Sequence, residues 1–355
     1  MSTIDLGLLR GRAAIIRELR AFFIERGYLE VDTPALAPAL IPEPTIRSFA
    51  TRFENPFMPA QDLFLVPSPE VWMKRLLAQG SGSIFQISHC FRNAEQLGRI
   101  HNPEFTMLEW YTLGQTYLDS IDLTEALLES LAAVALQAAG AARVPAAGST
   151  AEVSLSRGEP SESPDAAAAA ELLRRPIRRL SVAEAVRAAT GIEIEHALSV
   201  RDLRNAARKA GVPVADDATW EEAFNALFLQ LVEPALPADR PLVLYDYPAA
   251  IATLAKLIPG TPWSERWELY VAGIEIANCF TEETDPDRVR AYFREASARR
   301  PDAKADEDFP AIFAQGFPEC SGVALGVDRL VMLLTGARTL RGVISFPFSD
   351  ILASH

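Results

Sequence analysis

The stretch His101 to Tyr111, HNPEFTMLEWY, concentrates more chemically capable side chains than any other part of the chain. Alternation along a strand would put Phe105, Met107, Glu109 and Tyr111 on one face and Thr106, Leu108 and Trp110 on the other. A carboxylate and a phenol beside an aromatic ring suit neither a dry core nor an open surface. Such a face can floor a pocket, with Glu109 and Tyr111 holding a cation and Phe105 stacking on a planar group; a half-exposed edge strand would carry the same residues. Upstream, Arg92 and Asn93 close another alternating run, where a guanidinium can grip a phosphate in forked geometry or simply face solvent. GIEIANCFTEE sets Glu275 and Glu282 around Asn278. Two carboxylates at a strand end suit a hard cation such as Mg²⁺ shared with substrate phosphates, although acids so placed are most often only solvated. Strict alternation sends Glu275 and Asn278 to opposite faces, so a common site requires a bulge or turn between them. In GVALGVDRL, Gly322 and Gly326 stand one helical turn apart ahead of Arg329, which could reach a terminal phosphate; a glycine-faced packing helix is the plainer reading. The chain has neither a P-loop nor a dinucleotide-binding glycine motif.

Apolar spacing over residues 8–26 predicts an amphipathic helix ended by Gly27, then a strand stopped by Pro34. Residues 35–62 are proline-rich and read as irregular, apart from a short alternating run at 45–53. Residues 67–80 read as a loop entering a helix, with Ser68 as N-cap and Pro69 and Glu70 in the first turn. SIFQISHCFRN and HNPEFTMLEWYTLG pair as an antiparallel hairpin, and a long helix follows over about 120–139. Residues 140–176 are small, polar and proline-containing, with helix propensity only at their alanine end, and read as a mobile insertion or linker. Helical patterns at 181–190, 200–210 and 219–232 precede a buried strand in PLVLYDYP, a long strand pair or bent strand over 265–280 and a charged helix over 286–299. CSGVALGVDRLVMLLTG reads as a closing, glycine-started helix. The class is α+β, an antiparallel sheet flanked by helices.

With 355 residues, 49% hydrophobic and 23% charged, the chain can bury a sizeable core. No apolar run approaches the ~18 residues of a membrane span, and no secretory signal pattern opens the chain, so a cytoplasmic location is expected. Cys90, Cys279 and Cys320 are too few and scattered for a disulfide framework, and with His89, His101, His196 and His355 they make no zinc spacing. These cysteines and histidines read as packing or surface groups. The net charge of −13, from 47 acidic and 34 basic residues, opposes a broad grip on nucleic-acid phosphates, though residues 174–179 form a local basic patch.

Together and in this order, the segments resemble the catalytic domain of class II lysyl-tRNA synthetases, over nearly the whole chain outside 140–176. The helix and strand ending at Pro34 look like motif 1, FRN through HNPEFTMLEWY like motif 2, and GVALGVDRL like motif 3. SPE with KRL in residues 68–76, and GIEIAN, are similar to lysine-specific parts of that family. The resemblance implies a class II aminoacyl-tRNA synthetase catalytic fold over 1–355 as one domain, with no anticodon-binding domain, ATP and Mg²⁺ in use, and a homodimer built on motif 1. Ala324 replaces a family glycine, and this, with the missing anticodon barrel, is similar to short synthetase paralogues that modify a protein. It implies activation of (R)-β-lysine, or lysine, as the adenylate and transfer to a lysine of elongation factor P. Charging of tRNA or another acceptor, and a catalytically silent regulatory paralogue, are the alternatives.

The same resemblance gives Arg92 and Arg329 the catalytic roles of holding the α- and γ-phosphates. Phe105 stacks on adenine, with Asn93, Glu95, Asn102, Ile276 and Gly326 also around the nucleotide; Glu95 takes a part usually played from the position of Ala94. Glu275 and Glu282 coordinate Mg²⁺. Ser68 and Glu70 receive the backbone-end amino group, Glu109 and Tyr111 the terminal ammonium, and Asn278 the carboxylate, with Glu282 and Ala324 also in the substrate pocket. Cys279, in place of a glycine, adds a side chain where the resemblance implies a tight backbone, and Val71 with Trp72 are departures that could alter the pocket wall.

Overall fold

The computed structural model describes residues 5–142, 166–197, 199–300 and 304–352. Helix α1 (Leu6–Glu25) buries Ile15, Leu19, Phe22 and Phe23, the stripe its spacing predicts, and Asp5 caps it by accepting from the Gly7 and Leu8 amides. Gly27, at φ 80°, turns the chain out of the helix. Strand β1 (Leu29–Glu30) follows, and β2 (Leu36–Ala37), β3 (Ala50–Asn55) and β4 (Met58–Leu65) make a three-stranded sheet in the order β2-β4-β3. Residues 35–62 are therefore not irregular. Nearly every β3 side chain is exposed, so this hairpin forms without the buried face that an apolar pattern reports. Next come α2 (Glu70–Ala78), β5 (Ile84–Phe91), β6 (Glu104–Leu113) and α3 (Asp119–Ala142).

Of the stretch read as a linker, residues 143–165 lie outside the described residues. Its alanine end is helix α4 (Ala166–Leu173), which packs on α3 and buries Ala169, Ala170 and Leu173. That part belongs to the core. The chain continues through β7 (Arg178–Ser181), α5 (Val182–Thr190), α6 (Val200–Lys209), α7 (Trp220–Leu227) with a π-turn over Phe228–Val232, β8 (Leu242–Pro248), β9 (Trp263–Val271) and β10 (Ile274–Thr281). Helix α8 (Pro286–Arg299), strand β11 (Cys320–Gly326) and helices α9 (Val327–Thr335) and α10 (Phe348–Leu352) complete it. The glycine-started helix is thus half wrong: residues 320–326 are strand, and the helix begins at Val327. β11 pairs with β6 on one side and β10 on the other, and two ladders outweigh a local glycine spacing.

The main sheet runs β1-β5-β6-β11-β10-β9-β8-β7, antiparallel except for β1 with β5 and β7 with β8. The fold is α+β. One face carries a continuous core in which Phe85, Leu108, Trp110, Val323, Cys279, Trp267 and Val243 meet α1, α3, α4 and α9. The other face is divided. Leu242, Leu244 and Tyr270 pack under α5–α7 at one end, while Ile84 and Tyr111 pack with α2 and α8 at the other. Among the described residues no helix is long and apolar enough to cross a membrane.

Candidate active site

Between the two outer cores the sheet floors a cleft of two joined cavities, about 510 Å³ and 270 Å³. Arg92, Met107, Arg266, Glu275, Asn278 and Ala324 line both. The floor is set by register. Glu109 on β6 stands opposite Ala324 on β11, which stands opposite Asn278 on β10, which stands opposite Glu268 on β9. Cross-strand partners share a face, so these side chains form one transverse row. The neighbouring row holds Tyr111, Gly322, Phe280 and Arg266. The bulge required between Glu275 and Asn278 is present: the register of β10 on β9 shifts between Glu275 and Ala277. It brings both side chains to the cleft while Ile276 is buried in the core behind.

The larger cavity is acid-rich. Glu109 accepts from Ser68 Oγ at 2.6 Å and from Tyr111 Oη at 2.6 Å. Ser68 Oγ also accepts the Glu70 amide at 3.1 Å, but the cap position of α2 is held by Pro69, not by Ser68, one residue later than the sequence predicts. Lys74 is wholly buried between Glu70 Oε1 at 2.5 Å and Glu282 Oε2 at 2.6 Å. Burial works to lower its pKa, but Glu282 and Glu70 outweigh that and raise it. Burial, then Glu70, raises the Glu109 carboxyl to about 7. Burial raises Glu282 to about 8 against the pull of Lys74. The pocket thus concentrates carboxyl groups that a bound cation would stabilise. Gly322 leaves the room they need: a Cβ there would lie 2.5 Å from Glu282 Oε1 and 2.6 Å from Tyr111 Cε1.

The smaller cavity is lined by Glu95, His101, Asn102, Phe105, Ile276, Gly326 and Arg329, among others. Arg92 lies over the Phe105 ring, 5.1 Å from its centre, and its Nε has no hydrogen-bond partner among the described residues. Arg329 donates to the Glu275 carbonyl at 2.7 Å and the Ile100 carbonyl at 3.2 Å, and its Nη2 is 3.0 Å from His101 Nε2. Burial, then Arg329, lowers the His101 pKa, so a neutral ring accepts from the guanidinium. Arg12 and Asp328 tie the frame together: Arg12 donates to Asp328 at 2.5 Å and to Thr106 Oγ1 at 2.7 Å, while Asp328 takes the Thr106 amide at 2.8 Å.

Of the residues singled out from sequence, Ser68, Glu70, Arg92, Glu95, Asn102, Phe105, Glu109, Tyr111, Glu275, Ile276, Asn278, Glu282, Ala324, Gly326 and Arg329 all line this cleft. Asn93 does not. It is exposed, its Oδ1 takes the Ala94 amide and its own amide donates to the Arg47 carbonyl, so it shapes the loop. Asn102 is already engaged, donating to the Glu104 carbonyl and accepting the Phe348 amide. Cys279 faces the core behind the sheet, 3.1 Å from Ser120 Oγ. Val71 and Trp72 line neither cavity and pack in the α2–α8 core. Val71 and Trp72 therefore do not alter the pocket wall, and the Cys279 side chain is accommodated behind the sheet. Sequence reasoning missed Lys74, His101, Arg266, Glu268 and Glu43, of which Lys74 sits within the quoted KRL and His101 within HNPEF. Arg266 donates to Asn278 Oδ1 at 3.0 Å and Glu268 Oε1 at 2.5 Å, and Glu268 also accepts from Tyr247 and Tyr270.

The donors fit a hard cation mainly through Glu275, whose side chain is 41% exposed. Glu282 has one oxygen on Lys74 and the other, Oε1, without a hydrogen-bond partner among the described residues. Among the described residues no three His, Cys, Asp or Glu side chains form a metal cluster.

A mostly antiparallel sheet that carries a guanidinium over an aromatic ring, and a second guanidinium opening the helix after β11, is the architecture of a class II synthetase catalytic unit. The chain belongs to that family, described as tRNA synthetases class II (D, K and N), which matches residues 6–350. Similar curated proteins carry the name elongation factor P–(R)-beta-lysine ligase. That of Vibrio cholerae is 36% identical, covering 98% of this chain and 97% of its own length. Those of Klebsiella pneumoniae and Pectobacterium carotovorum are 36% and 37% identical, each covering 94% of this chain and 93% of its own length.

Proposed function

We propose that the protein activates (R)-β-lysine with ATP and passes the β-lysyl group to a lysine side chain of elongation factor P. The observation that carries this reading is the two-part cleft: an acid-rich half suited to ammonium groups opens, past Arg92 and Glu275, into a half with an aromatic ring and an arginine. The names of the relatives point the same way.

In this reading Phe105 stacks on adenine, Arg92 holds the α-phosphate and Arg329 the γ-phosphate. Glu109 with Tyr111 takes the terminal ammonium, Ser68 and Glu70 the backbone-end amino group, and Asn278 the carboxylate. Ile276 takes part through its backbone, since its side chain is in the core. Glu275, with Glu282 Oε1, would hold Mg²⁺, which neutralises phosphate charge when bound. The amino acid's carboxylate is ionised near neutrality and needs no base; it attacks the α-phosphorus as the bond to pyrophosphate breaks. Catalysis rests on positioning and charge neutralisation. The acceptor amine then attacks the acyl carbon, AMP departs with the bridging oxygen, and the amine loses a proton. An uncharged analogue would leave buried carboxylates unpaired, which can cost about 10⁴-fold.

The proposal includes one catalytic domain acting as a homodimer through the α1 region, where Leu6, Ile24, Leu29 and Leu36 are exposed. It also includes a cytoplasmic setting, which suits three free, buried cysteines. ATP–pyrophosphate exchange with (R)-β-lysine, α-lysine and ornithine tests the first step, and mass gain of elongation factor P tests the second. Equal exchange with every amino acid, or no adenylate despite ATP binding, would sink the reading.

A further inference from the structure

The loop after β2 brings a carboxylate into the cleft that no motif marks. Glu43 lines the acid-rich cavity. Its loop is pinned on several sides: Leu40 is bonded to the Lys304 carbonyl and the Asp306 amide, Tyr292 Oη donates to the Pro42 carbonyl, and Arg300 donates to the Ile46 carbonyl. Glu43 itself has no side-chain hydrogen bond or ion pair among the described residues, whereas Glu70, Glu109, Glu268 and Glu282 of the same cavity are each bonded to a neighbour. Burial, then Glu70, raises its carboxyl to about 7, while Arg92 and Lys74 pull the other way. A pinned loop therefore holds an acid with no protein partner among the described residues in the field of a second acid, Glu70, and of Arg92, where an arriving cation would be stabilised.

We propose that Glu43 is a further specificity-determining residue, binding with Glu70 the primary ammonium nearest the reacting carboxylate of the amino acid. This rests on the activation reading above, and two features select that ammonium. Glu109 already sits with Tyr111 and Ser68, while Glu43 lines the same cavity within reach of the Arg92 charge, and Arg92 is the group that this reading places on the α-phosphate.

The test compares the full-length protein with its Glu43→Gln variant in calorimetric binding, with a non-hydrolysable ATP analogue present. The ligands are (R)-β-lysine, α-lysine and 6-aminohexanoate, which keeps the terminal ammonium and the carboxylate but lacks the inner amino group. Glu43→Gln is expected to weaken both lysines by about tenfold to a hundredfold and to leave 6-aminohexanoate within about twofold, with Glu43→Asp recovering part of the loss. Equal weakening of all three ligands, or of none, overturns the assignment. So does a defect confined to single-turnover transfer from preformed adenylate, because it would move Glu43 to the acceptor's ammonium. Failure of the activation reading shows differently: the unaltered protein binds the lysines with the Glu43 dependence intact yet gives no pyrophosphate exchange with them.

Discussion

Glu109 and Glu282 face the same cavity with carboxyl groups raised to about 7 and about 8, chiefly by burial. A carboxyl with a raised pKa keeps part of its proton at neutrality, and an arriving ammonium favours the ionised form. Binding of a diamino acid near pH 7 is therefore expected to release protons, and the release should fade about two pH units above these values, where both groups are already ionised. Calorimetry in buffers of different ionisation enthalpy measures this; proton uptake on binding would contradict it. Glu109→Gln should raise the amino-acid requirement by about tenfold or more while leaving that for ATP nearly unchanged, whereas Arg329→Ala should weaken the ATP step for every amino acid. Lys74→Met strands Glu70 and Glu282 without their cation, and removing one partner of a buried set costs about 3–5 kcal/mol; a loss in denaturant unfolding below about 1 kcal/mol would show that the cluster is not structural. Letters alone made Glu109, Tyr111 and Arg92 legible, because each sits at a fixed phase in a strand or at its end. Lys74 was not legible, since a lysine on a short helix ordinarily reaches water and only the fold encloses it. Glu43 was hidden for the same reason, its loop being placed by α8 and by residues near 304.

At the scale of elements, β10 and β11 decide what the cleft can contain. The requirement for a break between Glu275 and Asn278 was readable from parity alone, and the shift falls there. The strand character of residues 320–326 was not readable, because glycines spaced by four fit a helix turn and alternate strand positions equally well. Ladders to β6 and β10, which no local window contains, settle it. Gly322→Ala places a Cβ against Glu282 and the Tyr111 ring, neither of which can retreat. Overpacking of this kind typically costs about 1–3 kcal/mol, and a raised amino-acid KM should accompany it; a variant with unchanged unfolding and unchanged KM would mean the neighbours yield freely. Ala324 lies between Glu109 and Asn278 in the transverse row. Removing its methyl group with Ala324→Gly deepens the floor at that point and should shift preference towards α-lysine in pyrophosphate exchange, and an unchanged ratio would remove Ala324 as a determinant.

Across the whole molecule, one unbroken core lies behind the sheet and two separate cores lie in front. The class was legible from the mixture of alternating and helical segments, but the partition was not, since β8 feeds Val243 to the rear core and Leu242 and Leu244 to the front one. With a net charge of −13, the chain should prefer a protein acceptor to a polyanion: incubation with total tRNA, ATP and lysine is expected to give no stable aminoacyl-tRNA. Substantial charging would reverse that preference. The larger cavity has one wall from each frontal core, while the smaller cavity is framed by the sheet, α9 and the loop before β6. Such a seam separates two inheritances. On the proposed assignment, changes in the Phe224 to Glu233 wall or in the Glu43 loop would retune which amine is accepted without disturbing how the triphosphate is held, so new specificities would be open to this scaffold from its flanks.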